Sequence, residues 1–181
     1  MNEIMMYRNF IEDVARKTQR AFLDLRMGLV HKRLTDEQRA AINSLPHDNI
    51  TKEPENRLRK FPNDCCMDAA FVLAVIFTAI SEQKGFKFGE LLHIRCTPTP
   101  KTKTVMFDFH QWLRVDGFDV DITVEQLKTL QKANRGKVVF EPHPIIQSDD
   151  YIFEGGKAGI EDVYAEFANF VITNYWGRIS K

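Results

Sequence analysis

The chain is 181 residues long, 44% hydrophobic and 28% charged, the length and balance of one soluble domain with material for a real core. Its 25 basic and 25 acidic residues cancel to a formal net charge of zero, which removes the electrostatic case for nucleic acid or an anionic membrane as partner. The opening MNEIMMYRNF lacks the pattern of a signal peptide and the longest apolar run, Ala69–Ile80, is too short to span a bilayer, so a cytoplasmic protein is expected.

Along the chain, apolar residues recur at roughly helical spacing from Asn2 to about Val30 (Ile4, Phe10, Ile11, Val14, Phe22, Leu25, Leu29). Thr35-Asp-Glu-Gln38 is a capping box that opens a short helix, ended by Pro46. His47–Lys60 is polar, carries Pro54 and reads as a surface loop. Residues 1–60 are thus a helical N-terminal part, and 61–181 form the core of the same single domain. Asp64 to about Gln83 is helical and so strongly apolar that it belongs at the centre of a fold, with Gly85 closing it. Strand patterns follow at Glu90–Thr97, Thr104–Val115, Phe118–Thr123 and Lys137–Glu141, interrupted by a helix at Val124–Ala133 and followed by an amphipathic helix at Ile160–Trp176. Helices first and a mostly antiparallel sheet afterwards define an α+β chain. The 14 phenylalanines are a heavy aromatic load, and most must be buried.

The segment Thr104–Thr123 carries the most information. Asp116-Gly117 lies between two alternating runs, the signal for a two-residue type I′ hairpin turn. That turn pairs Val115 with Phe118, Arg114 with Asp119 and Leu113 with Val120, and by extension Trp112 with Asp121 and His110 with Thr123. His110, Trp112, Arg114, Asp119, Asp121 and Thr123 therefore project to one side, opposite Phe109, Leu113, Val120 and Ile122. Asp121 is diagonal to His110, within reach of long side chains. A carboxylate there takes the proton of one imidazole nitrogen and leaves the other free as a base. Asp119 faces Arg114, and a partly exposed ion pair explains it.

A nucleophilic cysteine needs its thiolate, a form that the first turn of a helix favours. Capping by Asn63 or Asp64 would place Cys65 and Cys66 in that first turn, where N–H groups without intrahelical acceptors also point. Cys66 lies in line with Ala69, Ala70, Leu73, Phe77 and Ile80, the stripe expected to pack on the sheet, whereas Cys65 is turned about 100° away. With Cys96 the cysteines number three, which makes no even disulfide framework, and neighbours such as Cys65 and Cys66 cannot pair without severe strain. Reduced thiols are expected. A small buried hydrophobe is the common role of a cysteine on an apolar helix. What raises Cys66 above it is the combination with a strand histidine and a same-face aspartate.

Three stretches together resemble the bacterial papain-like/transglutaminase-like cysteine hydrolases and acyltransferases: Phe61-Pro62-x-x-x-Cys66-x-Asp68-Ala69-Ala70, His110-x-Trp112-Leu113-x-Val115-Asp116-Gly117 and Asp121-Ile122-Thr123-x-x-Gln126. The resemblance covers Phe61 to Leu127. It implies a papain/transglutaminase-like α+β fold and thiolate attack on an amide or ester carbonyl. Cys66 would be the nucleophile, His110 the general base and Asp121 its orienter. Trp112 and Gln126 match the group's aromatic and glutamine. Asn63, Cys65 and Trp112 fall at the oxyanion position or the mouth of the site. Two departures, Cys65 for a small residue and Asn63-Asp64 for a more basic, glycine-containing pair, touch that mouth. A protein or peptide substrate is implied, without cofactor or metal.

Proteases, deamidases, transglutaminases and inactive members share this scaffold, so a catalytically inactive binding module is the alternative. A zinc site drawn from Cys66, Cys96, His93 or His110 lacks any Cys-x-x-Cys or His-x-x-x-His pair. His31, His47 and His143 lie in polar or proline-flanked segments with no partner signal.

Overall fold

The computed structural model describes residues 3–29, 33–44, 60–84, 87–101, 107–127, 134–159 and 162–176. Helix α1, Glu3–Arg26, buries Ile11, Val14, Ala15, Thr18, Phe22 and Leu25 on one face, while Glu12–Arg16 and Asp13–Lys17 ion pairs run along another. Gly28, at φ 71°, ends it: Gly28 N–H donates to Leu25 and Leu29 N–H to Asp24, a Schellman closure that needs the left-handed residue. Helix α2, Asp36–Ser44, opens with the expected capping box, Gln38 N–H donating to Thr35 Oγ1 at 3.2 Å and Thr35 N–H to Gln38 Oε1 at 3.0 Å. Most of the expected loop His47–Lys60 lies outside the described residues.

Helix α3, Cys66–Lys84, starts two residues later than expected. Asp64 takes a left-handed φ of 57°, and the Cys65 carbonyl receives the first intrahelical bond, from Ala69 N–H at 2.9 Å. Cys65 is therefore the N-cap residue and Cys66 the first helical one. By length and composition Cys66–Gln83 would suffice to cross a membrane, but most of it is buried within the fold, as a core helix is.

Five strands form one antiparallel sheet in the order β4-β3-β2-β1-β5: β1 Leu91–Pro98, β2 His110–Val115, β3 Phe118–Val120, β4 Val139–Phe140 and β5 Tyr151–Lys157. The β2–β3 register is the expected one, around a turn with φ 46° at Asp116 and 83° at Gly117. Its paired region is shorter than expected: β2 begins at His110, and Asp121 N–H leaves the ladder to donate to Val138 at 3.0 Å. After β3, only a 3₁₀ turn, Val124–Gln126, stands among the described residues of the expected helix Val124–Ala133. Strand β5 escapes sequence reading because Tyr-Ile-Phe-Glu-Gly-Gly-Lys is a largely exposed edge strand, with no alternation to display. A 3₁₀ turn, Asp162–Tyr164, leads into helix α4, Ala165–Tyr175.

The main core lies on the sheet face of Leu113, Val115, Val120 and Ile122, packed with α1, α3 and α4. On the other face a smaller cluster of Ile94, Cys96, Trp112, Leu127 and Ile145 is closed by the 3₁₀ turn Pro144–Gln147. His110, Trp112 and Asp119 are on this second face, opposite the body of α3. The fold shown is α+β, with four helices and a five-stranded antiparallel sheet among the described residues.

Candidate active site

His110 is the first residue of β2, at the end of the sheet where α3 begins. Its imidazole is fully buried, and Nε2 lies 2.7 Å from Asp121 Oδ2. The Cys66 side chain lies close enough to the same imidazole to help raise its pKa, after the larger influence of Asp121. Because Nε2 is committed to Asp121, that contact falls to Nδ1. The body of α3 packs on one face of the sheet and its first side chain reaches past the sheet's end to a residue of the other face, so the three expected triad members meet. Gln126 Nε2 also approaches His110 Nδ1, at 2.7 Å.

Asp121 is a saturated acceptor. Thr123 N–H and Thr123 Oγ1–H both donate to Oδ1 at 2.8 Å, while Oδ2 receives His110 Nε2 at 2.7 Å and His143 Nε2 at 3.0 Å. Burial alone would raise its pKa, but the charge and hydrogen bond of His110, and then the hydrogen bond of His143, hold the carboxyl far below the usual range. Burial alone would likewise lower His110. The charge and hydrogen bond of Asp121, reinforced by Cys66, overcome it and raise the imidazole well above an ordinary histidine. The proton thus belongs on His110, beside the Asp121 carboxylate.

His143 is the residue that sequence reading passed over. Its segment, Glu-Pro-His-Pro, offers no periodicity, and its carboxylate partners Asp121 and Asp119 lie 22 and 24 residues away. The ring is completely buried, stacked on Trp112 at 4.4 Å and met edge-on by Phe140 at 4.9 Å. Asp119 holds this layer together. It accepts Trp112 Nε1 at 2.9 Å, both Arg114 Nε at 2.7 Å and an Arg114 terminal nitrogen at 3.0 Å, and His143 N–H at 2.8 Å. The Arg114 partnership was expected, but Asp119 is fully buried rather than partly exposed.

The residues assigned to the mouth of the site divide. Asn63 is exposed on the turn before α3 and acts through its backbone, donating to the Lys60 carbonyl at 2.9 Å and accepting the Cys65 thiol at 3.1 Å. Cys65 is not at the mouth: it is fully buried in the main core. Trp112 is not at the mouth either, for it is 1% exposed and lies beneath His110 and His143.

The zinc set considered from sequence does not assemble, since His93 and Cys96 point to opposite faces of β1. The donor atoms of His110, Asp121 and His143 do lie within 4.8 Å of one another. Their nitrogen–oxygen separations of 2.7 and 3.0 Å are hydrogen-bond distances, below the ~3.3 Å between neighbouring ligands of a tetrahedral zinc. No family model, curated protein or solved structure matches this chain.

Proposed function

We propose that the protein is a thiol-dependent hydrolase or acyltransferase of the papain/transglutaminase type, acting on an amide or ester carbonyl of a protein or peptide through Cys66, His110 and Asp121. The observation that carries this reading is a single buried imidazole bonded to a buried carboxylate, with a thiol from the first position of a helix close beside it. A structural cysteine needs no such partner. A structural histidine needs no carboxylate with four donors.

In the proposed reaction the Cys66 proton passes to His110 Nδ1, and the thiolate forms a bond to the carbonyl carbon. The oxyanion would be met by the first N–H groups of α3, which have no intrahelical acceptors. Gln126 shares Nδ1 with the thiol and must yield that nitrogen during the reaction, which puts its amide N–H beside the same oxyanion. Collapse breaks the bond to the leaving amine or alcohol, which takes the Nδ1 proton. The thioester is then resolved by water or an acceptor amine, whose proton returns to Nδ1. Asp121 stays ionised throughout and holds the ring.

An inactive binding module is the second reading, favoured by the 7% exposure of Cys66 and by the Gln126 amide lying across the base. Incubation with p-nitrophenyl acetate, followed by acid quench and peptide mass mapping, separates the two. The hydrolase reading expects an acetyl thioester on Cys66 that disappears on standing and is absent in Cys66→Ala. No adduct on Cys66 under conditions that acetylate surface lysines supports the binding module.

A further inference from the structure

We propose that His143 is a positioning residue of the site, a hydrogen-bond donor that fixes Asp121 and extends the triad to four residues. The proposal rests on the acyl-transfer reading above for its consequence, and on separate geometry for its substance.

The geometry sets the tautomer of His143 from both sides. Its Nδ1 accepts the Ile145 backbone N–H at 3.2 Å and so carries a lone pair. A neutral imidazole with a bare Nδ1 has its proton on Nε2, and Nε2 lies 3.0 Å from Asp121 Oδ2. The charged groups around the ring are the Asp121 carboxylate and His110 on its Nε2 side, and Asp119, which accepts its backbone N–H and is itself paired with Arg114. None of them faces Nδ1 in this arrangement.

A donor of this kind has a specific effect. Oδ2 must serve His110 Nε2, and a second donor on that oxygen, with Thr123 on Oδ1, leaves the carboxylate one orientation. The imidazole of His110 is then aimed with Nδ1 toward Cys66. Trp112 and Phe140 clamp the His143 ring, while Asp119 clamps its backbone and the Trp112 indole together. Asp119 thus acts on the site through His143 rather than through His110.

Two measurements test this. In ¹⁵N-histidine-labelled protein at neutral pH, the His143 ring should show a protonated Nε2 and a bare Nδ1. A proton on Nδ1 of His143, or none on Nε2, overturns the proposal whether or not the protein is an enzyme. The second measurement is the iodoacetamide rate at Cys66. His143→Phe keeps the stacked ring and loses the donor, and should slow labelling by about 10- to 100-fold, the worth of one hydrogen bond to a charged group. His143→Gln restores a donor and should recover most of the rate. Equal rates in wild type, His143→Phe and His143→Gln overturn the positioning role while leaving the acyl-transfer reading standing. A slow wild-type Cys66, no faster than in His110→Ala, removes the acyl-transfer reading and leaves the imidazole spectrum to decide the rest.

Discussion

Asp119 and Asp121 are two residues apart, project to the same side, and do different work because of what surrounds each. Asp121 gathers Thr123, His110 and His143 around its carboxylate. Asp119 collects Trp112, Arg114 and the His143 backbone, and no group of the proposed chemistry. Sequence register distinguished them correctly by assigning Arg114 to Asp119, but alternation says nothing about depth. Substituting Asp119 should therefore cost fold stability rather than react like a surface pair. Asp119→Asn is expected to lose about 2–4 kcal/mol, the range for breaking a buried, multiply bonded charge. Urea denaturation checks this, and a loss under about 1 kcal/mol, the value for an exposed ion pair, contradicts it.

At the scale of elements, the hairpin was legible because its determinants are local. Asp116-Gly117 demands positive φ at both positions, and that demand fixes every pairing up to Leu113–Val120. Gly117 has nothing within 4 Å of where a Cβ would stand, so space is not what restricts it. Gly117→Val should cost about 1–2 kcal/mol through backbone conformation alone, read as a shift of the denaturation midpoint. An unchanged midpoint would show that the turn tolerates another geometry. The parts of the site that were not legible depend on distant segments. His143 follows β4 and reaches Asp121 across 22 residues. The edge strand β5 lacks a pattern because its side chains are largely exposed. The start of α3 shifted because Asp64, a plausible cap by residue type, adopts a left-handed φ and leaves the cap position to Cys65.

Across the whole molecule, α1 ties the two arms of the site to the core. Arg26 donates to the Phe61 carbonyl at 2.9 Å just before the cysteine, and Gln19 donates to the Ile122 carbonyl at 3.0 Å just after Asp121. Tyr7 donates to Asp116 in the hairpin turn. The helical N-terminal part thus carries a physical role that sequence left unassigned. Between these arms the buried pair makes stability depend on pH in a defined sense. His110 is raised in the fold, so its contribution is full below the ordinary histidine value of about 6.5 and fades as pH rises toward the raised one. Asp121 is lowered, so its contribution is present above the ordinary carboxylate value of about 3.9 and is lost as pH falls below it. The stability advantage of the wild type over Asp121→Asn should therefore be greatest between about pH 4 and 6.5 and decline on both sides. A flat difference from pH 3 to 9 in urea titrations contradicts the pairing.

The most direct test of the central claim is the native-state rate at which iodoacetamide modifies each cysteine at neutral pH, in wild type and in His110→Ala. Cys65 is fully buried and Cys96 is 1% exposed, with a thiol that burial pushes up to about 11, so both serve as internal references. The account predicts that Cys66 reacts fastest and loses that advantage when the imidazole is removed. If Cys66 reacts no faster than Cys96, or equally fast with and without His110, the thiol and the imidazole do not form a working pair.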